Sequence, residues 1–85
     1  MTENTVLGKL TTFGDPQKLS REIVRALAET GKVGYHAIFE EISGKSDELR
    51  ITFTRNSDKQ VLIIPAEVWR HQGGIRSVIL DELTI

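Results

Sequence analysis

The chain has 85 residues, of which 39% are hydrophobic and 27% charged. This length allows one small domain with a single core, which we expect to span residues 1–85 with residues 1–4 frayed. The 11 basic and 12 acidic side chains give a net charge of −1, which excludes a global field attracting nucleic acid and leaves a local basic patch open. The sequence has no cysteine and no apolar run of membrane-spanning length. We therefore expect a cytoplasmic protein without membrane association.

The N-terminal stretch 6–13 (VLGKLTTF) predicts either a short edge strand or an extended arm. Gly8 weakens the strand interpretation, because glycine in a strand has no side chain to pack.

The first helix is predicted over residues 16–30. Asp15 is a typical N-cap residue, Pro16 suits the first helical position, and Gly31 suits the left-handed residue that follows a helix. The apolar residues recur at helical spacing and predict one buried face, formed by Leu19, Ile23, Val24 and Leu27 with Ala26 and Ala28 alongside.

Residues 35–42 (YHAIFEEI) fit two structures. Their apolar residues have the i, i+3, i+4, i+7 spacing of a helix, but most of them favour strands and no capping residue precedes them. We favour a strand that leads through a loop at 43–48 into the next strand. In a helix, His36 and Glu40 would have the spacing of metal ligands, yet the only other histidine, His71, is distant in sequence. We predict neither a metal site nor a cofactor.

Residues 49–65 (LRITFTRNSDKQVLIIP) predict a β-hairpin. Leu49, Ile51 and Phe53 alternate with polar residues, as in a strand with one buried face. Turn-forming side chains follow at 56–58. The run 61–64 is almost entirely β-branched, which predicts a strand covered on both faces, and proline ends it.

The C-terminal part predicts a second helical region. Residues 66–72 form one helical turn or two before the glycine pair at 73–74. Residues 75–83 predict a helix whose apolar face is formed by Ile75, Val78, Ile79 and Leu83.

These elements predict an α+β fold. We expect a three-stranded antiparallel meander with two helices on one face, in the order α-β-β-β-α, and an additional N-terminal strand as an option.

The segments 61–65 (VLIIP) and 73–80 (GGIRSVIL) resemble the HicA-type toxin family, which has the double-stranded-RNA-binding-like fold. The resemblance implies an RNA-binding domain. The family's catalytic histidine would lie at the start of the middle strand, where residues 46–49 read SDEL, so the resemblance does not extend to nuclease activity.

Eight residues are candidates for a binding role. Arg50 would project from the uncovered sheet face, and Arg55 and Lys59 would lie at its hairpin end. The stretch from Arg70 to Arg76 is interpreted as a plain connection between two helices; the alternative is an anion site formed by the backbone N–H groups of Gly74 and Ile75 with Arg70 and Arg76. Trp69 would close the core or anchor a partner. The full set is Arg50, Arg55, Lys59, Trp69, Arg70, His71, Gly74 and Arg76.

No nucleophile–base pair follows from the spacing, so we do not predict an enzyme. The leading hypothesis is an interaction or regulatory protein that binds a protein partner or a second copy of itself. It would act through a sheet face, a sheet edge or the Trp69–Arg76 loop. The alternative is an RNA- or DNA-binding domain without nuclease activity.

Overall fold

The computed structural model describes residues 3–8, 16–42 and 48–85. These parts of the chain form β1 (Thr5–Gly8), α1 (Pro16–Glu29), β2 (His36–Ile42), β3 (Glu48–Arg55), β4 (Asp58–Ile64), α2 (Ala66–Trp69) and α3 (Gly74–Glu82). The strands make one sheet in the order β1-β2-β3-β4. The pair β1-β2 is parallel, and the other two pairs are antiparallel. The α+β class is confirmed, and the fourth strand makes the sheet mixed rather than purely antiparallel.

The last position of the N-terminal strand β1 is a glycine that packs directly against the ring of Phe39. A Cβ atom added at Gly8 would lie 2.1 Å from the ring of Phe39, so only glycine leaves room for this buried ring. Glycine therefore supports the strand that we expected it to weaken. The remainder of the predicted segment, residues 9–13, lies outside the described residues.

Two hydrogen bonds of Asn4 hold the start of β1 against the loop that follows α1. The side-chain amide donates to the carbonyl of Lys32 over 2.8 Å, and its oxygen accepts from the N–H of Tyr35 over 3.0 Å. Asn4 is thus fixed by these contacts although we expected it to be frayed, while residues 1 and 2 are not among those described.

Helix α1 buries one stripe, formed by Leu19, Ile23, Ala26 and Leu27. The predicted members Val24, which is 40% exposed, and Ala28 both face solvent, so those two assignments were wrong. Val24 lies about 100° round the helix from Ile23, on the side away from Ala26. Gly31 has a φ of 72°, as expected after a helix. The predicted cap Asp15 lies outside the described residues.

The core lies between the sheet and the two longer helices. Residues 36–42 form a strand, and Tyr35 packs edge to face against Phe53 with ring centroids 6.3 Å apart. The buried apolar side chains come from α1, β2, β3, β4 and α3 and form one cluster.

Gln60 holds the C-terminal segment against β4. Its side-chain amide donates to the Glu82 carbonyl, and its side-chain oxygen accepts from the Thr84 N–H.

The prediction that residues 61–64 form a strand covered on both faces was wrong. Leu62 and Ile64 are buried, but Val61 is 44% and Ile63 is 54% exposed. In the described part of the chain the helices pack on one face only, so every second residue of β4 faces solvent. The register pairs Arg55 with Asp58, so the turn before β4 has two residues. Asn56, the first of them, has a φ of 58°.

Helices α2 and α3 meet at Gly74. Helix α2 is a single turn, as one of the two predictions had it, and α3 begins at the second glycine of the pair. A Cβ atom on Gly74 would lie 1.8 Å from the carbonyl oxygen of Val68, so the close crossing requires glycine. This buried residue has a structural role in the connection.

Candidate functional site

The face of the sheet opposite the helices, which we call the open face, carries a row of residues across all four strands. The strand registers place Leu7 beside Ile38, Ile38 beside Thr52, and Thr52 beside Val61. Three of the four are aliphatic, and we call this set the apolar row. Leu7 is 54% exposed and Val61 44%. Ile63, two residues further along β4, extends the apolar surface.

Charged side chains lie on either side of the apolar row. At one end, which we call the acidic end, Glu40 pairs with Arg50 across β2 and β3, with 3.0 Å between Oε1 and the guanidinium Nη1, and Glu48 lies beyond them. At the other end, the basic end, the register places His36, Thr54 and Lys59 in one line. The open face is therefore apolar in the middle with opposite charge at its two ends.

Strand β4 is an outer strand of the sheet, so part of its backbone faces solvent. Arg55 and Asp58 flank a two-residue turn and form a hydrogen-bonded pair. Because hydrogen bonding alternates along an antiparallel pair, the even-numbered residues of β4 bond to β3. The odd-numbered residues Lys59, Val61 and Ile63 direct their N–H and C=O groups outward. The same three residues project their side chains from the open face.

The structure separates the basic residues that the sequence proposed for phosphate contact. Arg50 and Lys59 lie on the open face, whereas Arg55 lies on the helix side of the sheet, 5.2 Å from the centroid of the Tyr35 ring. Its guanidinium also donates to the Tyr35 hydroxyl over 3.5 Å. Arg70 and Arg76 belong to the helical layer. The five side chains do not form one surface.

The Trp69–Arg76 loop borders a groove of about 390 Å³ beside α1. Trp69 is half-buried against the core, which agrees with the closing role, and Arg70 stacks on its ring at 5.2 Å. The lining includes the carboxylates of Glu22 and Glu29 as well as basic side chains. The groove therefore has mixed charge and no net preference for an anion.

Two donors of the alternative anion site are already engaged. The N–H of Gly74 donates to the carbonyl of His71 over 2.9 Å. The Arg76 guanidinium lies 3.4 Å from the Glu29 carboxylate, which also contacts Arg25 at 3.6 Å. These contacts favour the plain connection between two helices over the anion site.

The possible metal pair is excluded by the strand geometry. His36 and Glu40 are four residues apart on β2, which separates their Cα atoms by about 13 Å along an extended chain. Within residues 3–8, 16–42 and 48–85, no three potential metal ligands come together.

None of the helices described has the length and apolar character that crossing a bilayer requires.

Comparison with known proteins gives no family for this chain. No protein-family model, curated protein or solved structure matches it. The open face must therefore be interpreted from its own residues.

The sequence reasoning missed the aliphatic members of the open face, namely Leu7, Ile38, Val61 and Ile63. A signal was available in the hairpin. Once β3 is assigned one buried and one solvated face, its partner β4 must share them, so alternate residues of 61–64 had to be exposed.

Proposed function

We propose that this chain is a small protein-interaction module without catalytic activity of its own, and that it binds its partner through the open face. The observation that carries the proposal is the apolar row with Ile63 beside it, in which Leu7, Val61 and Ile63 are each 44–54% exposed. Exposed aliphatic side chains that are contiguous mark contact surfaces in soluble proteins. The surrounding charges form a polar rim, as at many interfaces.

The distribution of charge supports protein over RNA as the partner. Binding along a duplex relies on basic side chains that neutralise successive phosphates. On the open face Arg50 is paired with Glu40, and Lys59 lies at the opposite end. Among the described residues, His36 at one end of the face is the one ring on which a base could stack, and the apolar row itself has none.

The positions of the two histidines support a non-enzymatic role. His36 lies on the open face, and His71 lies in the exposed connection between α2 and α3. The sheet separates them, so they do not form an acid–base pair.

Affinity purification with two matched variants tests the proposal. Val61→Lys places a charge in the apolar row, and Leu80→Lys places one on α3, where the side chain is 56% exposed. Both positions face solvent, so both variants should fold with an unchanged circular dichroism spectrum. Proteins that co-purify with the tagged wild-type chain, a second copy included, should remain with Leu80→Lys and be lost with Val61→Lys.

Retention of the same proteins by Val61→Lys would contradict the open face as the binding surface. A labelled RNA duplex that binds at low salt, and is released steeply as salt rises, would instead support the nucleic-acid alternative.

A further inference from the structure

We propose that the partner on the open face is a second copy of this chain, packed face to face with its strands antiparallel to those of the first. This inference rests on the proposed function and names its partner. It follows from the symmetry of the open face, from the placement of its charges and from its size.

The apolar row suits a two-fold axis. An axis that lies between two stacked sheets and runs along the row places each strand over its own copy with the direction reversed. Leu7, Ile38 and Val61 then meet the same residues of the second copy, as in any isologous contact. Two sheets that pack in this way form a sandwich with aligned strands.

The same axis brings unlike ends of the open face together. Glu40 of one copy lies over His36 of the second. Lys59 lies over Ile63 of the second copy, so its aliphatic stem covers that side chain while its ammonium group reaches toward Glu48 on the adjacent strand. Arg50 is already paired with Glu40 and meets the uncharged Thr54. Each such contact occurs twice in the dimer, so the arrangement is electrostatically self-complementary.

The size of the open face is typical of a reversible contact rather than a permanent one. The four strands have 4, 7, 8 and 7 residues. At about 4.8 Å between strands and about 3.3 Å per residue, they cover roughly 400 Å² in projection. A standard interface buries about 800 Å² of accessible surface on each partner, and this face falls at or below that size. We therefore expect a reversible dimer whose dissociation constant is on the order of micromolar.

Charge reversal measured by sedimentation equilibrium tests the inference. Wild type should show a monomer–dimer equilibrium. Glu48→Lys and Lys59→Glu should each weaken the dimer about tenfold, because each creates two like-charged contacts at roughly 0.7 kcal/mol apiece. The double variant Glu48→Lys/Lys59→Glu exchanges the charges and should restore the wild-type constant to within about threefold.

Three outcomes would overturn the face-to-face dimer. The first is a wild-type chain that stays monomeric up to millimolar concentration. If a different protein co-purifies with the wild-type chain and is lost with Val61→Lys, the open face remains the binding surface and only the identity of the partner changes. The second is a dimer that is indifferent to both reversals and to Val61→Lys, which places the contact elsewhere and removes the proposed function as well.

The third outcome would relocate the contact to the edge of β4. Val61→Pro keeps an apolar side chain on the open face but removes an outward N–H group. A dimer that Val61→Pro abolishes and charge reversal leaves unchanged is joined edge to edge, which contradicts the face-to-face arrangement.

Discussion

Gly74 shows how one residue fixes the helical layer over the sheet. The space for its Cβ is occupied by the carbonyl oxygen of Val68, which is backbone and cannot rotate away. The crossing of α2 and α3 therefore depends on the missing side chain. It brings the buried side chain of Ile75 to the core at the start of α3.

We expect Gly74→Ala to lower the free energy of unfolding by about 1–3 kcal/mol, since the added methyl group forces the two helices apart. Urea denaturation followed by circular dichroism measures the change. The matched control is Ser77→Ala, at an exposed position of the same helix, which should shift the value by about 0.5 kcal/mol or less. Equal stability of Gly74→Ala and wild type would show that the helices separate without cost.

The two sides of β4 have different roles at the scale of the element. Its even-numbered residues hold β4 to β3, while its odd-numbered residues face outward with both backbone and side chain. Proline has no N–H group to donate, so it distinguishes the two sides.

We predict that Val61→Pro is tolerated and that Leu62→Pro is strongly destabilising. The first variant removes an N–H group that bonds only to water, and we expect a loss of about 1 kcal/mol or less. The second removes a hydrogen bond to β3 at a buried position, for a loss of about 3 kcal/mol or more. Thermal unfolding measures both. Comparable destabilisation of the two variants would mean that the residues of β4 that bond to β3 are assigned wrongly.

Local pattern was sufficient to predict some elements. Pro16 and Gly31 marked the ends of α1, and the alternation of Leu49, Ile51 and Phe53 marked the buried side of β3. Strand-forming residues decided between helix and strand for residues 36–42. In each case the signal lies within a few residues of the element that it specifies.

The errors arose where burial depends on neighbouring layers. A run such as 61–64 fits a doubly covered strand and an outer strand with one apolar open side equally well. Val24 fits the edge of a helical stripe, and its exposure depends on where the sheet ends. The candidate surface was missed for the same reason, because Leu7 and Val61, on the two outer strands, fall into one row only through the sheet order.

At the scale of the whole molecule, the sheet has helices on one side and a partly apolar surface on the other. Aliphatic side chains are also exposed elsewhere, at Val24, Val33 and Leu80, but these lie on α1, on the loop after it and on α3. On the open face Leu7 and Val61 belong to one row, joined across the sheet by the half-buried Ile38 and Thr52, and opposite charges flank that row. This distribution distinguishes a contact surface from scattered exposure, which is normal in soluble proteins.

The most direct measurement is a dilution series of methyl NMR spectra on the wild-type chain. If two copies associate through the open face, the methyl signals of Leu7, Ile38, Val61 and Ile63 should shift with concentration. Those of Val24, Val33 and Leu80, which serve as internal controls, should stay constant. Constant signals throughout, or shifts confined to the controls, would contradict the open face as the surface on which this chain associates.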